Sequence, residues 1–150
     1  MTSGPVARWT VVALSFAGLA VATYLSVEHV TGGIPVCGVS SGCDEVTTSQ
    51  YAVIMGMPVA FIGVAGYATL LLGTLAYLGL DNPSNGLTYA LLGIAFIGEG
   101  FTIYFVYTQA FRLHAICEYC MASAVIMTSI LVVTIYASVK TRYERPIVLD

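Results

Sequence analysis

Charged residues are few along this chain, and the stretches between them are long and apolar. The first apolar run goes from about Trp9 to Val27 without a charge, and the second from about Val53 to Leu80 with Pro58 near its start. The third, about Leu87 to Tyr107, carries one acid, Glu99. The fourth, about Cys117 to Val139, is charged only at Glu118. A helix that crosses ~30 Å of hydrocarbon at ~1.5 Å per residue needs roughly 20 mostly apolar residues. All four runs meet that length. The pattern predicts spanning helices over 9–27, 53–80, 87–107 and 117–139, with residues 1–150 forming one all-α membrane domain.

The connections between the runs differ in character. Asp81-Asn82-Pro83-Ser84-Asn85-Gly86 reads as a turn between the second and third spans. The third connection, about 108–116, holds Arg112 and His114. The first, about 28–52, is long and contains Gly32-Gly33, Pro35 and two cysteines, and a connection of that length is more often functional than idle. Arg8 followed by an apolar run also suggests a signal peptide. The run is long for that role, however, and no clear small-x-small cleavage site precedes the loop, so it is read as a span.

Composition narrows the function classes. Of 150 residues, 58% are hydrophobic and 9% charged, and the net charge is −3. So few charges exclude an ordinary soluble enzyme and a disordered chain, and the acidic balance argues against nucleic acid as a partner. Lys and Arg concentrate at the two ends, as Arg8 and as Lys140, Arg142 and Arg145, whereas the first and third connections share only Arg112. The expectation is an integral plasma (inner) membrane protein, and the positive-inside rule predicts that both its termini are cytoplasmic. The long loop and the start of the fourth helix share the outer face.

That topology, obtained without using the cysteines, places Cys37, Cys43, Cys117 and Cys120 together outside the cytosol, where disulfides persist. Cys117-Glu118-Tyr119-Cys120 is a C-x-x-C at a helix start. Residues i and i+3 share a face, and the unpaired N–H groups and positive end of the helix favour a thiolate. Glu118 opposes this, and His114 or Arg112 can assist it. Cys37 and Cys43 enclose the small loop Gly38-Val39-Ser40-Ser41-Gly42. Three readings fit the cysteines alone: two structural disulfides, a four-thiolate zinc site, or a dithiol–disulfide relay. A helical C-x-x-C closes too small a loop to be a good staple, which favours the relay.

Cys37 to Val46, with Thr48-Ser49-Gln50-Tyr51-Ala52 and Gly56-Met57-Pro58-Val59-Ala60, resembles the loop and second-helix entry of the vitamin K epoxide reductase family. Cys117 to Ala124 resembles that family's C-x-x-C and the start of its last helix. The other quinone-linked disulfide oxidase family carries its C-x-x-C in the first outer loop instead. The resemblance implies a four-helix bundle whose first outer loop caps the active site, often with a short helix on the membrane surface. It also implies a thiol:quinone oxidoreductase that supports disulfide formation. The electron acceptor would be an exchanging ubiquinone- or menaquinone-type molecule from the membrane pool, with no metal. Because the chain ends at Asp150, the thioredoxin-fold dithiol partner is expected to be a separate polypeptide.

By position, Cys117 and Cys120 match the family's active-site pair, with Cys120 facing the quinone. Cys37 and Cys43 match its shuttle pair, and Ser49 matches its loop Ser/Thr. Vertebrate members have tyrosine where this chain has Ala124, which disfavours the alternative of vitamin K epoxide reduction. A non-enzymatic four-span scaffold stapled by disulfides is the other alternative. The expected quinone pocket includes Ser49, Tyr51, Phe61, Glu99 and Ala124, with Tyr67, Phe101, Tyr104 and Tyr107 as further aromatic candidates. Glu99 lies ~15 Å inside its span, where an acid is costly. It is read either as a proton donor in the pocket or as an acid bonded to Tyr or Thr on a neighbouring helix. Gly98 and Gly100 would let that helix approach closely. His29 and His114 sit near the outer surface, as proton carriers or simply solvated.

Overall fold

The computed structural model describes residues 3–39, 42–80 and 84–144. The first element is α1 (Ser3–Thr31). A short α2 (Cys43–Thr48), a 3-10 turn (Gln50–Ala52) and the strands β1 (Val53–Ile54) and β2 (Met57–Pro58) follow in the loop. Then come α3 (Val59–Gly79), α4 (Asn85–Tyr107), a π turn (Thr108–Leu113) and α5 (Glu118–Glu144). Four helices, α1, α3, α4 with its π turn, and α5, are long and apolar enough to cross a membrane. The chain is an all-α integral membrane protein. Ser40, Ser41, the turn residues Asp81, Asn82 and Pro83, and the tail from Arg145 to Asp150 lie outside the described residues.

The helix ends follow local chemistry. Past α1, Gly32 takes a left-handed φ of 69°, and the Gly33 N–H donates to the Glu28 carbonyl at 2.9 Å. This is the six-to-one closure that ends a helix at glycine. At the start of α4 the Leu87 N–H reaches the side-chain oxygen of Ser84, as expected of an N-cap serine.

The second span begins later than expected. Residues 53–58, assigned to helix from hydropathy alone, form a two-residue antiparallel hairpin in which Val53 pairs with Pro58 and Ile54 with Met57. Its turn residues, Met55 and Gly56, have φ of 53° and 82°, the positive values that tight hairpin turns require. Pro58 donates no N–H and disfavours helix at Met57, so α3 starts at Val59. The third connection is also partly helical, because α4 runs on through the π turn and stops only at His114 (φ 51°).

The four long helices meet around Val11 and Ala22 of α1, Tyr67 and Leu70 of α3, Leu91 and Ala95 of α4, and Met127 and Ile130 of α5. Gly98 leaves room for Met127, Gly73 for Leu91 and Gly63 for Ala22, whereas Gly100 faces open space. Small residues thus permit close helix contact at three of these positions. Thr74 and Ser26 donate to carbonyls four residues back, at 2.7 Å each, which satisfies their hydroxyls inside the bundle. Large apolar side chains such as Phe16, Leu72, Ile97 and Val125 point outward, where hydrocarbon replaces water.

Candidate functional site

All four cysteines gather at one end of the bundle. Cys37 and Cys43 form a disulfide with their Cα atoms 6.1 Å apart, and Cys117 and Cys120 are free thiols. Because the first pair is bonded to itself, a four-thiolate metal set is not available in this state. Cys43 and Cys117, 1% and 0% exposed, share a buried cluster with Val46 and Ala115, and Cys37 and Cys120 pack at its edge. Backbone contact sets this proximity. Gly42, immediately before Cys43, lies so close to Ile116 that a Cβ there would stand 2.6 Å from the Ile116 nitrogen and 2.8 Å from its oxygen. The residues preceding the two buried cysteines therefore touch.

Cys117 flanks α5, and its carbonyl accepts the Met121 N–H at 3.0 Å. Its own N–H donates to the side-chain oxygen of Gln109 at 2.9 Å. Gln109 is 3% exposed and also accepts the Ala115 N–H on its backbone carbonyl at 3.2 Å. Hydrogen bonding from the Cys120 thiol lowers the Cys117 pKa to about 7. The Cys120 and Tyr119 N–H groups add to this, against burial and the Glu118 carboxylate, which push it up. The expectation of a thiolate favoured by donors and opposed by Glu118 matches these causes. The strongest donor, however, is the second cysteine.

A cavity of about 330 Å³ opens between the helices below this cluster. Cys120, Ser123, Ala124 and Met127 line it from α5, and Gly63, Gly66, Tyr67 and Leu70 from α3. Both sets follow the three-and-four spacing of one helical face. From α4 come Ile94, Gly98, Phe101 and Phe105, and the loop adds Ser49 and Tyr51. His29 borders it as well. The Tyr67 hydroxyl bonds Ser123, 3.0 Å to its carbonyl and 2.8 Å to its hydroxyl, and the Tyr67 ring lies against Gly18.

Two expected pocket residues lie elsewhere. Phe61 occupies the face of α3 between the lining positions and is 39% exposed. Glu99 is one position past Gly98, a rotation of about 100° around α4. There its carboxylate accepts the Thr128 hydroxyl of α5 at 3.0 Å. Tyr104, Tyr107 and His114 are also outside the cavity lining. Gln109 also lines the cavity, and as a neutral amide in a connection it carries no distinctive sequence signal.

Residues 9–135 match the vitamin K epoxide reductase family. The chain belongs to that family. It is also 32% identical over 114 residues to thiol-disulfide oxidoreductase LTO1 of Arabidopsis thaliana, an alignment covering 71% of this chain. The aligned region spans 30% of that relative's length. The matched range takes in the first loop and all four cysteines. Among the described residues no group of three or more His, Cys, Asp and Glu side chains is placed to hold a metal.

The lining fits a quinone by its chemistry. It is mostly apolar, with a few hydroxyl and amide groups and one thiol, and its volume is within the ~300–1,000 Å³ usual for small-molecule sites.

Proposed function

We propose that this protein is a membrane thiol:quinone oxidoreductase, oxidising the dithiol of a thioredoxin-fold partner outside the cytosol and reducing a quinone of the membrane pool. The observation that carries this reading is the division of the C-x-x-C. Cys117 sits in the buried cluster with Cys43, while Cys120, one turn further, lines the cavity. Electrons that reach Cys117 from the loop are thereby handed to a thiol at the cavity wall.

The cycle consists of thiolate displacements. A partner thiolate attacks the Cys37 sulfur, the Cys37–Cys43 bond breaks, and Cys43 leaves as thiolate. The partner's second thiol attacks the mixed disulfide and leaves as part of the partner's own disulfide, releasing Cys37. Cys43 then attacks Cys117 of a Cys117–Cys120 disulfide and expels Cys120. Cys37 attacks Cys43, which restores the loop disulfide and frees Cys117. The pair now holds two electrons, which pass with two protons to the quinone from Cys120, as the Cys117–Cys120 bond re-forms. The free Cys117 and Cys120 beside an oxidised Cys37–Cys43 pair correspond to the state just before quinone reduction. Ala124 lines the cavity where vertebrate-type members of the family have a tyrosine, and the absence of that hydroxyl disfavours epoxide reduction.

The test is purified protein in nanodiscs with a soluble ubiquinone analogue or menadione, driven by reduced thioredoxin or by dithiothreitol and followed by quinone absorbance. Cys120→Ser should abolish reduction with either donor. Cys37→Ser should lose the thioredoxin-driven reaction and keep the dithiothreitol-driven one. Full activity of Cys120→Ser would reject the reading. In cells, an impermeant maleimide should label the reduced cysteines from outside, and labelling only after lysis would refute the proposed orientation.

A further inference from the structure

The segment carrying Cys37 is held by the two residues inside the C-x-x-C. The Glu118 carboxylate is bidentate: one oxygen accepts the Gly38 N–H at 3.2 Å and the other accepts the Val39 N–H. The next residue, Tyr119, donates its hydroxyl to the Val36 carbonyl at 2.9 Å. The Val36 N–H in turn reaches the Tyr24 hydroxyl at 3.4 Å, and the rings of Tyr24 and Tyr119 pack at 5.0 Å. The backbone on both sides of Cys37 is therefore fastened to side chains that rise from the turn between Cys117 and Cys120.

We propose that Glu118 and Tyr119 are positioning residues that dock the Cys37 segment onto the C-x-x-C turn, setting how often the loop thiol meets Cys117. The docking stands on these hydrogen bonds. Its consequence for electron transfer rests on the relay described above. A carboxylate accepting two backbone N–H groups is a charge-assisted pair of bonds, which isolated neutral contacts do not match. Glutamine has nearly the same shape but replaces one acceptor oxygen with an NH₂ donor facing a backbone donor. Glu118→Gln is thus a narrow test.

Two effects of this substitution have opposite signs. Docking weakens because one N–H loses its acceptor. The Cys117 thiol becomes more acidic, because the neighbouring negative charge that opposes its ionisation is removed. A substitution that merely loosened the fold would not couple weaker docking to easier ionisation.

The experiment uses the full chain in nanodiscs with Cys37→Ala and Cys120→Ala, which leaves Cys43 and Cys117 as its two thiols. Their effective concentration is measured in glutathione redox buffers. Adding Glu118→Gln should lower it roughly tenfold, and adding Tyr119→Phe by a smaller factor. Thiolate absorbance should meanwhile shift to lower pH in Glu118→Gln. An effective concentration unchanged within about twofold in both variants overturns the proposal. If the parent forms no Cys43–Cys117 disulfide at all, it is the relay that fails. Docking is then decided by hydrogen exchange at the Gly38 and Val39 amides. Exchange that is slow in the parent and roughly tenfold faster in Glu118→Gln supports it, and equally fast exchange in both overturns it.

Discussion

The side-chain oxygen of Gln109 accepts the backbone N–H of Cys117 at 2.9 Å, across the turn that joins α4 to α5. The N–H groups at a helix start have no partner within the helix, and at Cys117, fully buried, water cannot supply one. The π turn serves this bond by keeping the backbone helical past Tyr107, so that Gln109 faces the start of α5 instead of solvent.

Gln109→Leu should therefore cost stability, because a buried N–H loses its acceptor, typically about 1–3 kcal/mol. Thermal unfolding in detergent should show the loss, together with slower quinone reduction. An unchanged melting temperature would mean that another acceptor replaces the amide.

The reduced protein should show a thiolate titrating at about pH 7, assignable to Cys117 by its absence in Cys117→Ser. Absorbance near 240 nm measures it. Cys120→Ala should raise this midpoint, because the thiol hydrogen bond from Cys120 is the largest cause of the depression. A depressed acid stabilises the form that carries it above its ordinary pKa, and that contribution is lost as pH falls through the folded value. Through Cys117 the reduced form is thus favoured, and the disulfide made more oxidising, a contribution that is lost as pH falls from the ordinary thiol range through about 7. A midpoint equal to that of a free thiol would contradict the geometry at the C-x-x-C.

The spans were legible in the sequence because hydrocarbon imposes a length and polarity that few segments meet. The C-x-x-C was legible because its spacing fixes a shared helix face. The hairpin at 53–58 was hidden by its own apolar residues, and only Pro58 and Gly56 hinted at it. Of the two readings of Glu99, the structure shows the acid bonded to a threonine of the neighbouring helix, Thr128; depth alone does not specify azimuth, and one residue's rotation separates that bond from the cavity. The docking of Glu118 on Gly38 joins residues 80 apart in sequence. Such a contact exists only once the loop and α5 are brought together.

Gly42 marks a close approach of the loop to the third connection. A Cβ there meets Ile116 backbone atoms at 2.6 and 2.8 Å, which cannot rotate away as a side chain would. Gly42→Ala should displace Cys43 from Cys117 and slow thioredoxin-driven turnover about tenfold or more, the scale of a typical overpacking cost. The dithiothreitol-driven reaction should be spared. Gly38→Ala is the control, since its Cβ would meet only a Glu118 oxygen at 3.9 Å. Equal behaviour of the two alanine variants would show that the backbone contact at Gly42 does not position the loop.

A disulfide between the two buried cysteines should be trappable. In Cys37→Ala, Cys43 loses its bonding partner but keeps its place in the cluster with Cys117, both being essentially inaccessible to solvent. The thiol that would resolve a Cys43–Cys117 bond from the loop side is gone. Resolution then depends on Cys120 alone, which faces the cavity. Non-reducing peptide mapping after mild oxidation should therefore find Cys43 linked to Cys117 with Cys120 free, and adding Cys120→Ala should raise the yield. Cys43→Ala should behave differently, because Cys37 packs only at the edge of the cluster and is better placed to react with glutathione than with Cys117. If mapping of Cys37→Ala recovers only Cys117–Cys120 bonds, with Cys43 always free, electrons do not pass through the loop.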